Sequence, residues 1–148
     1  MLRVSKLTDY ATVVMTCLAM TGAEVTSAQQ LADAARLELP TVSKLLKQLA
    51  HAGLVTSRRG VNGGYCLARP AEAISVADIV TAMEGPIGMT ECSAHAGACG
   101  HEPHCGVRVN WQRISQAIRS ALQDVSLADM VAAPPPRPAG IPLRVASH

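Results

Sequence analysis

Three cysteines in one short segment, Cys92-x6-Cys99-x5-Cys105, are the residues of this 148-residue chain best suited to chemistry. Their loop is rich in Gly and Ala and also carries His95, His101 and His104, three of the five histidines. Thiols and imidazoles at this density point to coordination of a metal centre. The spacing lacks the close C-x2-C pair that lets a structural zinc site take two ligands from one tight turn. It suits a loop wrapped around a larger object, and iron-sulfur clusters are held mainly by thiolates. Three thiolates leave at least one position to fill, for which Glu91, His95, His101 and His104 of the loop, or Asp9 from the other subunit of a dimer, are candidates. The same residues also fit a Cys3His zinc site through His101 or His104, or a thiol switch pairing Cys99 with Cys105 on oxidation. Cys17 and Cys66 fall within an apolar helix face and a strand and read as packing residues.

The elements that must position this loop follow from periodicity and caps. A first helix is expected from about Leu7 to Met20, with Tyr10, Val13, Val14, Cys17 and Leu18 on one face and Gly22 as its stop. Asp9, near its start, reads equally as a cap. Ser27 and Gln30 form a capping box that opens a second helix through Ala35. After Arg36-Leu37-Glu38-Leu39, Pro40 suits the first turn of a third helix, with Val42, Leu45, Leu46 and Leu49 inward and Gly53 as terminator. This is a helix-turn-helix pattern. Leu54–Arg58, the turn Arg59-Gly60-Val61-Asn62-Gly63-Gly64 and Tyr65–Ala68 read as strand, turn and strand, the hairpin wing of a winged helix. Ser75, with Asp78 as its acidic partner, caps a short helix ending at Glu84-Gly85-Pro86. Beyond the cysteine loop, Val107, Trp111, Ile114, Ile118, Ala121 and Val125 recur at heptad-like spacing on one long helix.

The expected fold is therefore mainly α with a small β hairpin: a winged helix-turn-helix plus a long C-terminal dimerisation helix. Its parts are a DNA-binding domain over 1–70, a connecting helix over 71–86, the cysteine loop over 87–106, the dimer helix over 107–131 and a proline-rich tail, expected to be disordered, over 132–148. Apolar residues make up 49% of the chain and aromatics 2%, so Ala, Val, Leu, Ile and Met must fill the core, a palette that favours helices. No apolar run approaches the roughly 20 residues of a membrane span, and the N-terminus has no signal-peptide core. A cytoplasmic protein is expected, in which structural disulfides are rare.

Charge is unevenly spread. Residues 1–69 carry eight Lys and Arg against four Asp and Glu, whereas residues 70–148 carry five against seven. The N-terminal half is thus the expected partner of a polyanion, although solvated basic faces are common. Thr41, Ser43 and Lys44 sit where a recognition helix meets base edges, with Lys47 a turn further on, and Arg58 and Arg59 sit where a wing meets phosphate or the minor groove. Catalysis is not expected. There is no nucleophile-base constellation or paired carboxylate site, and Gly60-x-x-Gly63-Gly64 is turn chemistry. A cluster carrier, from another functional class, would need neither a major-groove helix nor a wing.

Taken in order, Lys6-Leu7-Thr8-Asp9-Tyr10-Ala11, Arg59-Gly60-Val61-Asn62-Gly63-Gly64-Tyr65, Ile79-Val80-x-Ala82-Met83-Glu84-Gly85-Pro86 and the cysteine triad resemble the iron-sulfur-sensing winged-helix transcriptional regulators of the IscR, NsrR and SufR type, over about residues 1–130. Within that group the chain is most similar to regulators of the SUF system for iron-sulfur cluster assembly. The resemblance implies a homodimer on a roughly palindromic double-stranded DNA operator, acting by default as a repressor. It implies one cluster per subunit on Cys92, Cys99 and Cys105, with a 2Fe-2S cluster favoured over 4Fe-4S. Members that sense cluster supply can carry a ligand His three residues after the last cysteine, where this chain has Arg108. Nitric-oxide-sensing relatives can use an acidic residue in the partner's first helix, which maps onto Asp9.

Overall fold

The computed structural model describes residues 3–132; all of the tail expected over 132–148 except its first residue lies outside the described residues. Helix α1 spans Lys6–Met20. Its cap is Ser5, whose hydroxyl accepts the Thr8 N–H at 3.2 Å, and not Asp9, which lies exposed one turn in. The buried stripe of α1 is Ala11, Val14, Met15 and Leu18. Tyr10 and Cys17 flank that stripe, and Val13 faces outward, so the apolar face is rotated from the one expected.

Helix α2, Ala28–Ala35, opens on the expected capping box: Ser27 Oγ accepts the Gln30 N–H and Gln30 Oε1 accepts the Ser27 N–H. It ends at Arg36, which takes the left-handed conformation at φ 54 usually given to Gly or Asn. Helix α3, Leu39–His51, begins with Pro40 in its first turn and buries Val42, Leu45, Leu46 and Leu49 completely. Gly53, at φ 77, lets the chain leave it.

Strands β1, Val55–Arg58, and β2, Gly64–Leu67, pair antiparallel with Val55 opposite Leu67 and Arg58 opposite Gly64. The hairpin is fastened to the helices: Thr26 and Tyr65 exchange both backbone hydrogen bonds, at 2.9 and 2.8 Å. Helix α4, Val76–Glu84, has the Ser75–Asp78 capping box. The loop region holds a four-residue helix α5, Glu91–Ala94, and a 3-10 turn at Glu102–His104.

The helix expected to run on to residue 131 is instead two helices, α6, Arg108–Gln123, and α7, Leu127–Val131. The break has a local cause, a third capping box in which Ser126 and Asp129 satisfy each other's backbone N–H groups. It also has a long-range cause: the Leu127 N–H donates to the Ile74 carbonyl at 2.7 Å and the Val76 N–H to the Val125 carbonyl at 2.9 Å. Leu127 is fully buried in the same core as Met15, Leu18, Leu45, Leu49 and Ile79. The last helix therefore belongs to the same core as α1, α3 and α4, while α6 buries only Ser115.

Candidate functional site

Two groups of residues are set apart by this fold. The first lies on α3 and the hairpin. Thr41 and Ser43 are half-buried in the first turns of α3, with Lys44 and Lys47 exposed along the same helix. Four apolar side chains lock the opposite face into the core, so these polar positions point away from it. Arg58 closes β1 and Arg59 begins the turn, both exposed. Among the described residues, none of Lys44, Lys47, Arg58 and Arg59 is ion-paired with a carboxylate. The hairpin that carries the two arginines depends on glycines. A Cβ on Gly64 would lie 2.5 Å from the Thr26 carbonyl oxygen, and one on Gly63 would lie 2.6 Å from that of Arg58. The paired glycines thus let the wing close and dock beside α2.

The second group is the cysteine loop. Its N-terminal part is fixed to α6: the Met89 N–H donates to Ser115 Oγ at 2.9 Å, and Arg119 Nη2 donates to the Ile87 carbonyl at 2.8 Å. Gly88 permits the tight fold-back, since a Cβ there would meet the Ala94 nitrogen at 2.5 Å. Cys92 is consequently buried in α5, with Thr90 Oγ1 at 3.2 Å from its sulfur. Cys99 and Cys105 are half-buried on the following turns. Glu91 and the three histidines are exposed, with the His101 and His104 rings 6.5 Å apart.

All five cysteines are free thiols. Cys66 is buried in β2, and burial pushes the Cys17 thiol up from its ordinary value, partly offset by a backbone hydrogen bond, which makes it a poor nucleophile or ligand. Among the described residues, no three of His, Cys, Asp and Glu converge closely enough to hold a metal ion. The donor chemistry fits an iron-sulfur cluster, with three free thiols on one loop, all at least half-buried, but in this conformation the loop does not gather them. Sequence reasoning missed Glu102, which pairs with Arg108 at the first residue of α6. A lone loop acid has no spacing pattern to mark it.

Residues 4–133 match the model of the Rrf2 family, described as an iron-dependent transcriptional regulator. The HTH-type transcriptional regulator IscR of Erwinia tasmaniensis is 35% identical over 95 residues, which is 64% of this chain and 57% of that protein, so the chain matches little more than half of that relative's length. Among solved structures, CymR (YrzC), the global cysteine regulator of B. subtilis, superposes with a TM-score of 0.69 at 32% identity, covering 88% of this chain and 97% of that one. T. potens IscR does so with a TM-score of 0.65 at 30% identity, covering 88% and 86%.

Proposed function

The chain belongs to the Rrf2 family of DNA-binding transcriptional regulators, and from that premise we propose that its occupancy on an operator is set by an iron-sulfur cluster held by Cys92, Cys99 and Cys105. One observation carries this reading, a continuous line of packing. Helix α5, which bears Cys92, rests on α6; α6 rests on α4; and α4 rests on α3. Whatever orders the thiols is therefore mechanically connected to the helix that faces DNA.

In this reading Thr41, Ser43 and Lys44 meet base edges, Lys47 follows one turn on, and Arg58 and Arg59 meet phosphate or the minor groove. The cluster, a 2Fe-2S centre by preference, supplies a group that iron shortage, oxidation or nitric oxide removes. The protein's own part is to bias two arrangements of a homodimer on a near-palindromic duplex. A differential affinity of a few kcal/mol between those arrangements, up to about 5.5 for a near-complete switch, is sufficient. The dimer reading is supported by the apolar seam of α6, where Val107, Trp111 and Ile114 stay exposed, and by an adjoining open groove of 890 Å³ lined in part by Val80, Ile87, Ile118 and Leu122. The regulated genes in this reading are those of iron-sulfur cluster assembly, the SUF system, under repression in the cytoplasm.

The test is anaerobic purification with iron, sulfide and zinc assayed on one sample, followed by operator binding before and after cluster removal. Visible absorption with matched iron and sulfide, lost in a Cys92→Ala/Cys99→Ala/Cys105→Ala variant together with the change in DNA affinity, is the expected result. Arg59→Ala should weaken binding to every sequence and flatten its salt dependence. Stoichiometric zinc in a colourless protein, or DNA affinity indifferent to the cysteines, would overturn the proposal.

A further inference from the structure

One carboxylate ties the cysteine loop together. Glu102 lies on the 3-10 turn between Cys99 and Cys105, and its side chain is 9% exposed. Its Oε2 accepts the Gly97 N–H at 2.8 Å, while its Oε1 is ion-paired with Arg108 Nη2. Gly97 belongs to the segment between Cys92 and Cys99, Glu102 to the segment between Cys99 and Cys105, and Arg108 opens α6. This single side chain therefore fastens both arms of the loop to the root of α6. The backbone hydrogen bonds nearby, Ala98 to His95, Glu102 to Cys99 and His104 to His101, each span three residues and shape separate turns without joining the arms.

The fastening is incomplete. Arg108 Nε is buried and has no hydrogen-bond acceptor among the described residues. A buried donor without an acceptor penalises the arrangement that contains it, and a pair with that defect can hold a loop yet release it.

We infer that Glu102 is a latch: bound to Arg108 and the Gly97 N–H, it holds the three-cysteine loop in its closed shape, and gathering Cys92, Cys99 and Cys105 around a cluster requires it to let go. The inference rests on the reading of the loop as a cluster site, and it makes Glu102 a positioning residue and not a ligand.

The test uses the full chain, reduced, anaerobic and stripped of metal, so that the latch is read before any cluster is present. Gly97 amide exchange and iodoacetamide alkylation of Cys99 and Cys105 are followed in the wild type and three variants. Glu102→Gln, which keeps the shape of the side chain and removes its charge, should accelerate both by about three- to tenfold, the range expected for one partly exposed charged hydrogen bond. Arg108→Ala should do the same from the other side of the pair, while Arg108→Lys, which keeps the charge, should stay within about twofold of wild type. On adding iron and sulfide, Glu102→Gln should colour faster than wild type and reach the same final iron content. Unchanged exchange and alkylation in both Glu102→Gln and Arg108→Ala would overturn the latch whether or not a cluster forms. Lower final iron in Glu102→Gln would make Glu102 a ligand and overturn it too. Accelerated alkylation with no iron bound by any form would uphold the latch and refute the cluster reading alone.

Discussion

At the start of α1 one side chain and one backbone amide turn to a single acceptor on another helix. Glu84 Oε1 accepts Thr8 Oγ1–H at 2.6 Å and the Ser5 N–H at 2.8 Å, and these hydrogen bonds hold the Glu84 carboxyl below the usual carboxylate range. A carboxyl lowered on folding stabilises the native state above its unfolded pKa, and that contribution is lost as pH falls through the lowered value. Glu84→Gln should therefore be less stable than wild type at neutral pH. The gap between their urea midpoints should close on acidification below the usual carboxylate range, and a gap that did not change with pH would contradict this account. Thr8 and Glu84 both lie in segments singled out as motifs, yet their pairing across 76 residues was not legible. The thiols and the exposed cations were legible because residue type alone marks them. Ser5 and Glu102 were not, because what distinguishes each is the partner that the fold brings to it.

Caps and turns decide how much of each element could be foreseen. Ser27 with Gln30, Ser75 with Asp78 and the glycines at 22 and 53 act locally, and the structure bears them out. Ser126 with Asp129 is the same signal, but the apolar spacing running through Val125 concealed the break between α6 and α7. The backbone pairing of residues 74–76 with 125–127 that fixes it is long-range. The wing offers a sharp test at this level. Gly64→Ala places a methyl group against the Thr26 carbonyl oxygen, so β2 must shift away from α2. The expected cost is about 1–3 kcal/mol in urea unfolding, together with weaker operator binding and faster exchange of the Tyr65 amide. Unaltered exchange there would mean that the hairpin does not depend on this contact.

Across the whole molecule, the apolar side chains divide into those the domain covers and those it leaves outside. The core takes Leu127 from the far end of the chain, yet Trp111 and Ile114 of α6 remain 38% and 44% exposed. Charge at that seam should interfere with self-association while sparing the fold of the winged domain. Ile114→Glu is expected to shift sedimentation from dimer to monomer, leave the helical circular dichroism in place and lower operator affinity, because a monomer loses the second half-site. A dimer that persists in this variant would move the interface elsewhere.

The return of the chain to Ile74 also changes what α6 is mechanically. Its 16 residues make a rod of about 24 Å, at 1.5 Å per residue. Its first residue, Arg108, is paired with Glu102 of the cysteine loop, Ser115 and Arg119 hold the start of that loop along its length, and just beyond its last residue the chain is joined to the core that carries α3 through Leu127. A rod with a loose far end would let the loop rearrange unnoticed. A beam held at both supports has no such slack, and in the proposed reading a displacement of the cysteine loop becomes load on the core that carries α3.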